Sequence, residues 1–327
     1  MKPKFKSSLF ILISASLMIA AQPSAEFPKL TGPYLDQKIP GMKAELFAPG
    51  IVSTGDFEHS SPVFTPDFTE IYWSTTHADK NGETYLRPTY YMKQVNGAWG
   101  KPEIPSFGKD FKICENPFIQ PDGKRIYFHA GKTLSEGHSL KLDLYYADRK
   151  GDDWGDPVKI TETINTADYF EAQPSVSKNG TLYFIGYYKK SEDGFGLYYS
   201  KFVNGKYEKP VLMEEKFNIL QADWTPYIAP DESYFIFCSF RSGGFGSGDL
   251  YICFKEKDGS WGKVINMGDK INTNANERFP NVTPDGKYLF FNSTKKIEGA
   301  DPNGPGNGQG DIYWIDAKII EELKLKK

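Results

Sequence analysis

With 327 residues, 39% of them hydrophobic and 15% aromatic, the chain is long enough for one large domain or two ordinary ones and is weighted toward strand formers. A formal charge of −3 leaves no basic field to neutralise phosphates, so no nucleic-acid partner is expected. The three cysteines, Cys114, Cys238 and Cys253, are too scattered for a disulfide framework and show no metal-ligand spacing.

The chain opens with Lys2, Lys4 and Lys6 followed by an apolar run from Leu9 to Ala21. That run is too short to span a bilayer comfortably and reads as a signal peptide over residues 1–25, cleaved after Ala21 or Ala25. The expectation is a periplasmic or secreted protein with no membrane span, and a monomer. Residues 26–43 form an N-terminal extension, and "AELFAPGIV", from Ala44, supplies a strand.

Five related phrases follow: "SSPVFTPDFTEIYWST", "CENPFIQPDGKRIYFHA", "EAQPSVSKNGTLYFIGY", "DWTPYIAPDESYFIFCS" and "NERFPNVTPDGKYLFFNS". Aligned on Pro62, Pro117, Pro174, Pro226 and Pro280, they recur every 52 to 57 residues, which marks a repeat architecture. Each phrase is two strands around a Pro-Asp-Gly type turn, in which Pro presets φ and Gly or Asn accepts φ > 0. A third strand follows ("TYYMKQV", "DLYYADR", "GLYYSKF", "DLYICFK", "DIYWIDA"), then a fourth at Trp99, Trp154, Tyr207 and Trp261. Cys238 and Cys253 fall on successive strands and could pair, although two buried thiols is the preferred reading.

Four antiparallel strands per unit is the pattern of a propeller blade. The fifth unit lacks its fourth strand and runs instead into "AKIIEELKLKK", a helix with Ile319, Ile320 and Leu323 on one face. The N-terminal strand can take the missing place and hide two sheet edges. The predicted fold is therefore all-β: a single five-bladed β-propeller over 44–316, closed by an N-terminal strand, with a short C-terminal helix over 317–327.

"PNVTPDGKYLFFNS" and "SFRSGGFGSGDLYICFKEKDGSW" resemble the PD40, or WD40-like, repeats of TolB-like propeller proteins, over roughly Lys43 to Asp316. The resemblance implies the propeller fold. For function it implies a range: scaffolds, peptidase-associated domains, and polysaccharide lyases that use a His-bound metal on acidic sugars.

In a four-strand meander, the loops entering the first strand and those joining strands two and three share one face of the disc. Glu58, Glu115, Glu171, Asp223 and Glu277 precede the five phrases and are expected to ring the channel mouth on that top face. Such acids accept backbone N–H bonds or pair with basic side chains, for which Arg241 and Arg278 are candidates. Alternatively they hold a cation or polar ligand, with Trp224 as a stacking residue. All four histidines fall in the first two blades, and His59, His77 and His129 with Glu115 form a candidate divalent-cation or acid–base cluster. "GGFGSG" leads into a strand, so it is no phosphate loop, and 299–310 is too rich in glycine and proline to pack. No cofactor is required. The expected function is a binding module for a protein, peptide or glycan ligand of the cell envelope. The alternative is a carbohydrate-active enzyme, a metal-assisted lyase or glycosidase, working at the channel mouth.

Overall fold

The computed structural model describes residues 27–78, 85–131, 141–166, 170–188, 194–219 and 223–326. The signal-peptide reading and His138 lie outside them. Five antiparallel sheets follow one another around an axis, as the repeat requires. The innermost strands of blades two to five are Ile113–Ile119, Glu171–Val176, Asp223–Ile228 and Glu277–Val282. In blade one the inner strand is split into Phe57–Glu58 and Val63–Phe64, both paired with Glu70–Ala78.

The ring closes as expected. Glu45–Leu46 pairs with Asp311–Asp316, Glu45 opposite Trp314 and Leu46 opposite Tyr313, to become the outer strand of blade five. Phe47 then enters the seam between blades five and one, fully buried against Phe290, Trp314 and Phe64 at ring distances of 4.9, 5.1 and 6.5 Å. The extension before it also packs. Tyr34 meets Phe64, Phe68, Tyr288 and Trp314 edge-on or tilted, and Trp99 Nε1 donates to the Gly32 carbonyl at 2.8 Å.

Apolar side chains alternate along each strand, so every sheet buries both faces against its neighbours. The core is accordingly five clusters, one per blade junction. The C-terminal helix, Lys318–Lys324, adds Ile319, Ile320 and Leu323 to the cluster between blades four and five. Cys238 and Cys253 are buried thiols; they belong to clusters on opposite faces of the blade-four sheet, which rules out the disulfide. In the Pro-Asp-Gly type turns, Gly123, Gly180 and Gly286 take positive φ. Phe68 and Glu232 hold the same conformation, at φ 58°, where blades one and four lack the glycine.

One expectation is corrected. The glycine-rich segment 299–310 packs on the entrance to blade one: Asn307 Nδ2 donates to the Gly55 carbonyl at 2.9 Å, and Glu58 N to that of Gly310 at 3.0 Å. Gly299, Gly306 and Gly308 at positive φ let the chain turn tightly enough to find these polar partners, so composition did not preclude order.

Candidate functional site

The five acids do not form one ring. Strand register puts Glu58, Glu171, Asp223 and Glu277 opposite Thr75, Gly186, Ser239 and Ser293 of the second strand. In blade two that position is Cys114, opposite Ala130, and Glu115 lies one residue further on, opposite His129. Successive side chains point to opposite faces of a strand, so this single step sends Glu115 elsewhere.

The other four acids stitch loops. Glu58 accepts from Thr54 N at 3.2 Å and Thr54 Oγ1 at 2.6 Å; Glu171 does the same with Thr166 at 3.3 and 2.9 Å, and Glu277 with Thr273 at 2.9 and 2.7 Å. Asp223 accepts from Ile219 N at 2.7 Å and from Arg241 at 3.0 Å. Arg241 also bonds Ser239 Oγ and the Lys216 carbonyl and lies over Phe237 and Tyr251, so its role is structural. Burial pushes the Glu58 carboxyl up to about 9 and that of Glu171 to about 7 against the pull of these hydrogen bonds, and it raises Asp223 and Glu277 as well.

Glu115 faces a cavity of about 600 Å³ at the top of the axis. His59, Arg87, His129, Gln173, Trp224 and Arg278 line it with Glu115, and Leu142, Phe170, Phe240 and Phe279 make the rest of its wall largely apolar. Below, between Pro117, Pro174, Pro226 and Pro280, the channel narrows to about 40 Å³, room for a few waters at most. At the scale of an organic ligand the cavity is blind. Its floor is strained: Asn116, Gln173, Thr225 and Phe279, equivalent residues of blades two to five, sit at φ 51 to 57°, which is costly for the β-branched Thr225 and the bulky Phe279.

Glu115 is fully buried. His129 Nε2 lies 3.2 Å from Oε2, and Arg87 Nη1 3.6 Å from the same oxygen. His59 Nδ1 lies 2.8 Å from Oε1, at an angle that leaves both atoms without an aligned hydrogen bond. Burial alone would raise the Glu115 carboxyl, but His59 and His129 overcome it and hold the group well below the ordinary carboxylate range. The tautomer of His129 follows from its partners. Gln173 N donates to Nδ1 at 3.2 Å, so the ring proton sits on Nε2 and is given to Glu115. A second proton would have to displace the Gln173 bond, and burial lowers the His129 pKa further.

The candidate metal set is therefore divided. His77 lies outside the cavity wall, with Nδ1 2.8 Å from Asp56 and Nε2 3.0 Å from the Tyr90 hydroxyl. Both His129 nitrogens are engaged. Among the described residues no group of three or more His, Cys, Asp or Glu side chains is placed to hold a metal. His59 and Glu115 are the pair left to contribute to one.

Trp224 lines the cavity with its ring 4.7 Å from that of Phe195. Arg278 lies in the wall with its guanidinium over Phe57 and Phe279. Sequence reasoning missed Arg87, Gln173 and Phe279. For Arg87 a signal existed: it ends the loop before the third strand, where the other blades carry Leu142, Phe195, Gly248 and Gly310.

The fold and cavity define a five-bladed β-propeller with a ligand-sized pocket on its axis. No protein-family model matches the chain, and no curated protein matches it. Similar solved structures include CoXyl43, a GH43 β-xylosidase/α-arabinofuranosidase from a compost microbial metagenome, at 13% identity and a TM-score of 0.50 over 85% of this chain and 95% of that one. An α-L-arabinofuranosidase from Lactobacillus brevis is similar at 16% identity and a TM-score of 0.48, over 80% of this chain and 90% of that one. The β-propeller domain of the Trilobed protease from Pyrococcus furiosus is similar at 14% and 0.36, over 80% and 70%. At such identities the likeness concerns the fold alone.

Proposed function

We propose that the chain is an exported binding module that takes the end of a cell-envelope glycan or peptide into the blind top-face cavity, without catalysis. The observation that carries this reading is the cavity's composition: an apolar, partly aromatic wall with a few convergent polar groups, the usual make-up of a ligand site. A glycosidase needs two carboxylates flanking the bond, one of them kept protonated. Among the described wall residues Glu115 is the lone carboxylate, and its histidine neighbours keep it ionised. That composition favours binding over hydrolysis.

One feature supports a second reading. The contact between His59 and Glu115 is a histidine–carboxylate pair open to the cavity, the arrangement a base would need to eliminate across an acidic sugar. Incubation with polygalacturonate would then generate the ultraviolet absorbance of an unsaturated product, and His59→Ala would abolish it.

The binding reading is tested by capture from envelope extracts on immobilised protein. Trp224→Ala should lose the retained ligand while still unfolding cooperatively, at some cost in melting temperature because the partly buried ring packs against the clusters on both sides of blade four. Retention of the same ligand by both proteins would refute a cavity site.

A further inference from the structure

Resting on the reading of the cavity as a ligand site, we propose that its ligand carries a carboxylate, received by Arg278 and Arg87. The chain has five arginines. Three are paired closely: Arg125 with Asp148 at 2.6 Å, Arg149 with Glu70 at 2.7 Å and Arg241 with Asp223 at 3.0 Å. The two that are not are both in the cavity wall.

The Arg278 side chain makes no hydrogen bond or ion pair with any described residue, and its buried Nε has no acceptor. It packs beside two aromatic rings instead, the guanidinium carbon lying 5.3 Å from the Phe57 ring centre and 5.5 Å from that of Phe279. Arg87 likewise has a buried Nε without an acceptor, and its contact to Glu115, at 3.6 Å, is beyond hydrogen-bond reach. Withdrawing a guanidinium from water without an anion beside it is unfavourable, and burial accordingly lowers the Arg278 pKa. A guanidinium that packs beside two rings and has no acceptor at its Nε is free to match a carboxylate two bonds at a time.

Charge selects the kind of anion. Among the permanently charged groups of the wall, two guanidiniums face the one carboxylate of Glu115, leaving a single positive charge for the ligand to balance. A monocarboxylate does this, whereas a phosphate dianion overshoots it and is repelled by Glu115. The body of the ligand then meets Trp224, Phe170 and Phe240, with Gln173 available as a polar contact.

The test is isothermal titration calorimetry on the full chain with matched probes: D-glucuronate, D-galacturonate and N-acetyltyrosine, each against its methyl ester, plus inorganic phosphate. At least one acid should bind saturably and outbind its ester by about 10-fold or more, the worth of a charge-assisted bond. Arg278→Gln should weaken that acid by about 10- to 100-fold, with the ester unchanged, and Arg278→Lys should restore part of the loss. The melting temperature of Arg278→Gln should equal or exceed that of the wild type, since no hydrogen bond or ion pair to a described residue is lost and the cost of burying an unpaired charge is removed. The proposal is overturned if no acid outbinds its ester, if phosphate alone binds, or if Arg278→Gln leaves the acid's affinity intact. Trp224→Ala separates the two readings. An extract ligand lost in Trp224→Ala and kept in Arg278→Gln would leave the cavity site standing and remove the carboxylate; a ligand kept in both would remove both.

Discussion

Glu58 offers the sharpest physical test of the blade junctions. One of its oxygens accepts two bonds from Thr54, while Oε2 is buried without a partner. Burial raises the carboxyl from 4.5 to about 9, with the charges of Asp311 and Asp56 adding to the rise. Between those two values the folded protein keeps a proton that the unfolded chain releases. The folded state binds more protons, so stability falls as pH rises, by about 1.4 kcal/mol per pH unit for one group. Glu171, raised to about 7, and Asp311, raised to about 6, steepen the fall below neutrality and then drop out. Above pH 7 Glu58 alone remains of the three. Glu58→Gln keeps the acceptor for Thr54 and has no charge to lose, so it should be more stable than the wild type at pH 8 by about 2–5 kcal/mol, the upper figure being the full linkage. The assay is urea unfolding followed by tryptophan fluorescence at pH 5.5, 7 and 8.5. Wild-type stability should decline across the series and the variant's decline should stop above pH 7. Parallel slopes for the two proteins from pH 7 to 8.5, or a wild-type curve that rises there, would refute the account.

Two further substitutions probe the frame. Phe47→Ala empties a fully buried ring site beside the closing strand and should cost about 3–5 kcal/mol in urea unfolding; a loss under 1 kcal/mol would mean that the seam collapses onto the gap. Thr225→Asn copies the residue that blade two carries at the same left-handed position, Asn116, and should raise stability by about 1 kcal/mol by relieving a strained β-branched residue, whereas a lower melting temperature would show that the Thr225 methyl is needed for packing.

Much of the fold was legible because a repeat states its rules five times. The turn residues, the alternating apolar strands and the missing fourth strand of the last unit led to five blades and the N-terminal closure. Segment 299–310 was misread because glycine content speaks to backbone freedom and not to the few polar contacts, such as Asn307 to Gly55, that fix it. The site was legible only in part. Trp224, Arg278, His59 and Glu115 were among the candidates, but they were grouped with residues that do structural work, because distance to the proline was treated as loosely equivalent across blades. Arg241 and Arg278 looked alike in sequence. What separates them is that Asp223 lies within reach of one, whereas among the described residues no carboxylate reaches the other, which packs beside Phe57 and Phe279.

The spacing that was passed over is what makes the site. The acid stands three residues before the proline in blades three, four and five, four before it in blade one, and two before it in blade two. In a strand of period two the one-residue shift of blade two exchanges the faces, so its carboxylate leaves the loop it would have stitched and turns to the axis, whereas the extra residue of blade one is taken up in the break between Phe57–Glu58 and Val63–Phe64. Cys114 fills the vacated position, where a buried thiol needs no partner. His129 occupies the facing position on the second strand, where blades three, four and five carry Ile185, Cys238 and Asn292. The longer blade-one entrance admits His59 to the same wall. Each departure from the repeat would be destabilising alone: a buried carboxylate without its threonine, a buried imidazole, an arginine without an acid. Placed together, Glu115, His129 and His59 meet much of one another's polar requirement and leave Arg278 unsatisfied. An unmet requirement of that kind, in a molecule that pairs three of its five arginines at 3.0 Å or less, is the strongest reason to look for an anion there.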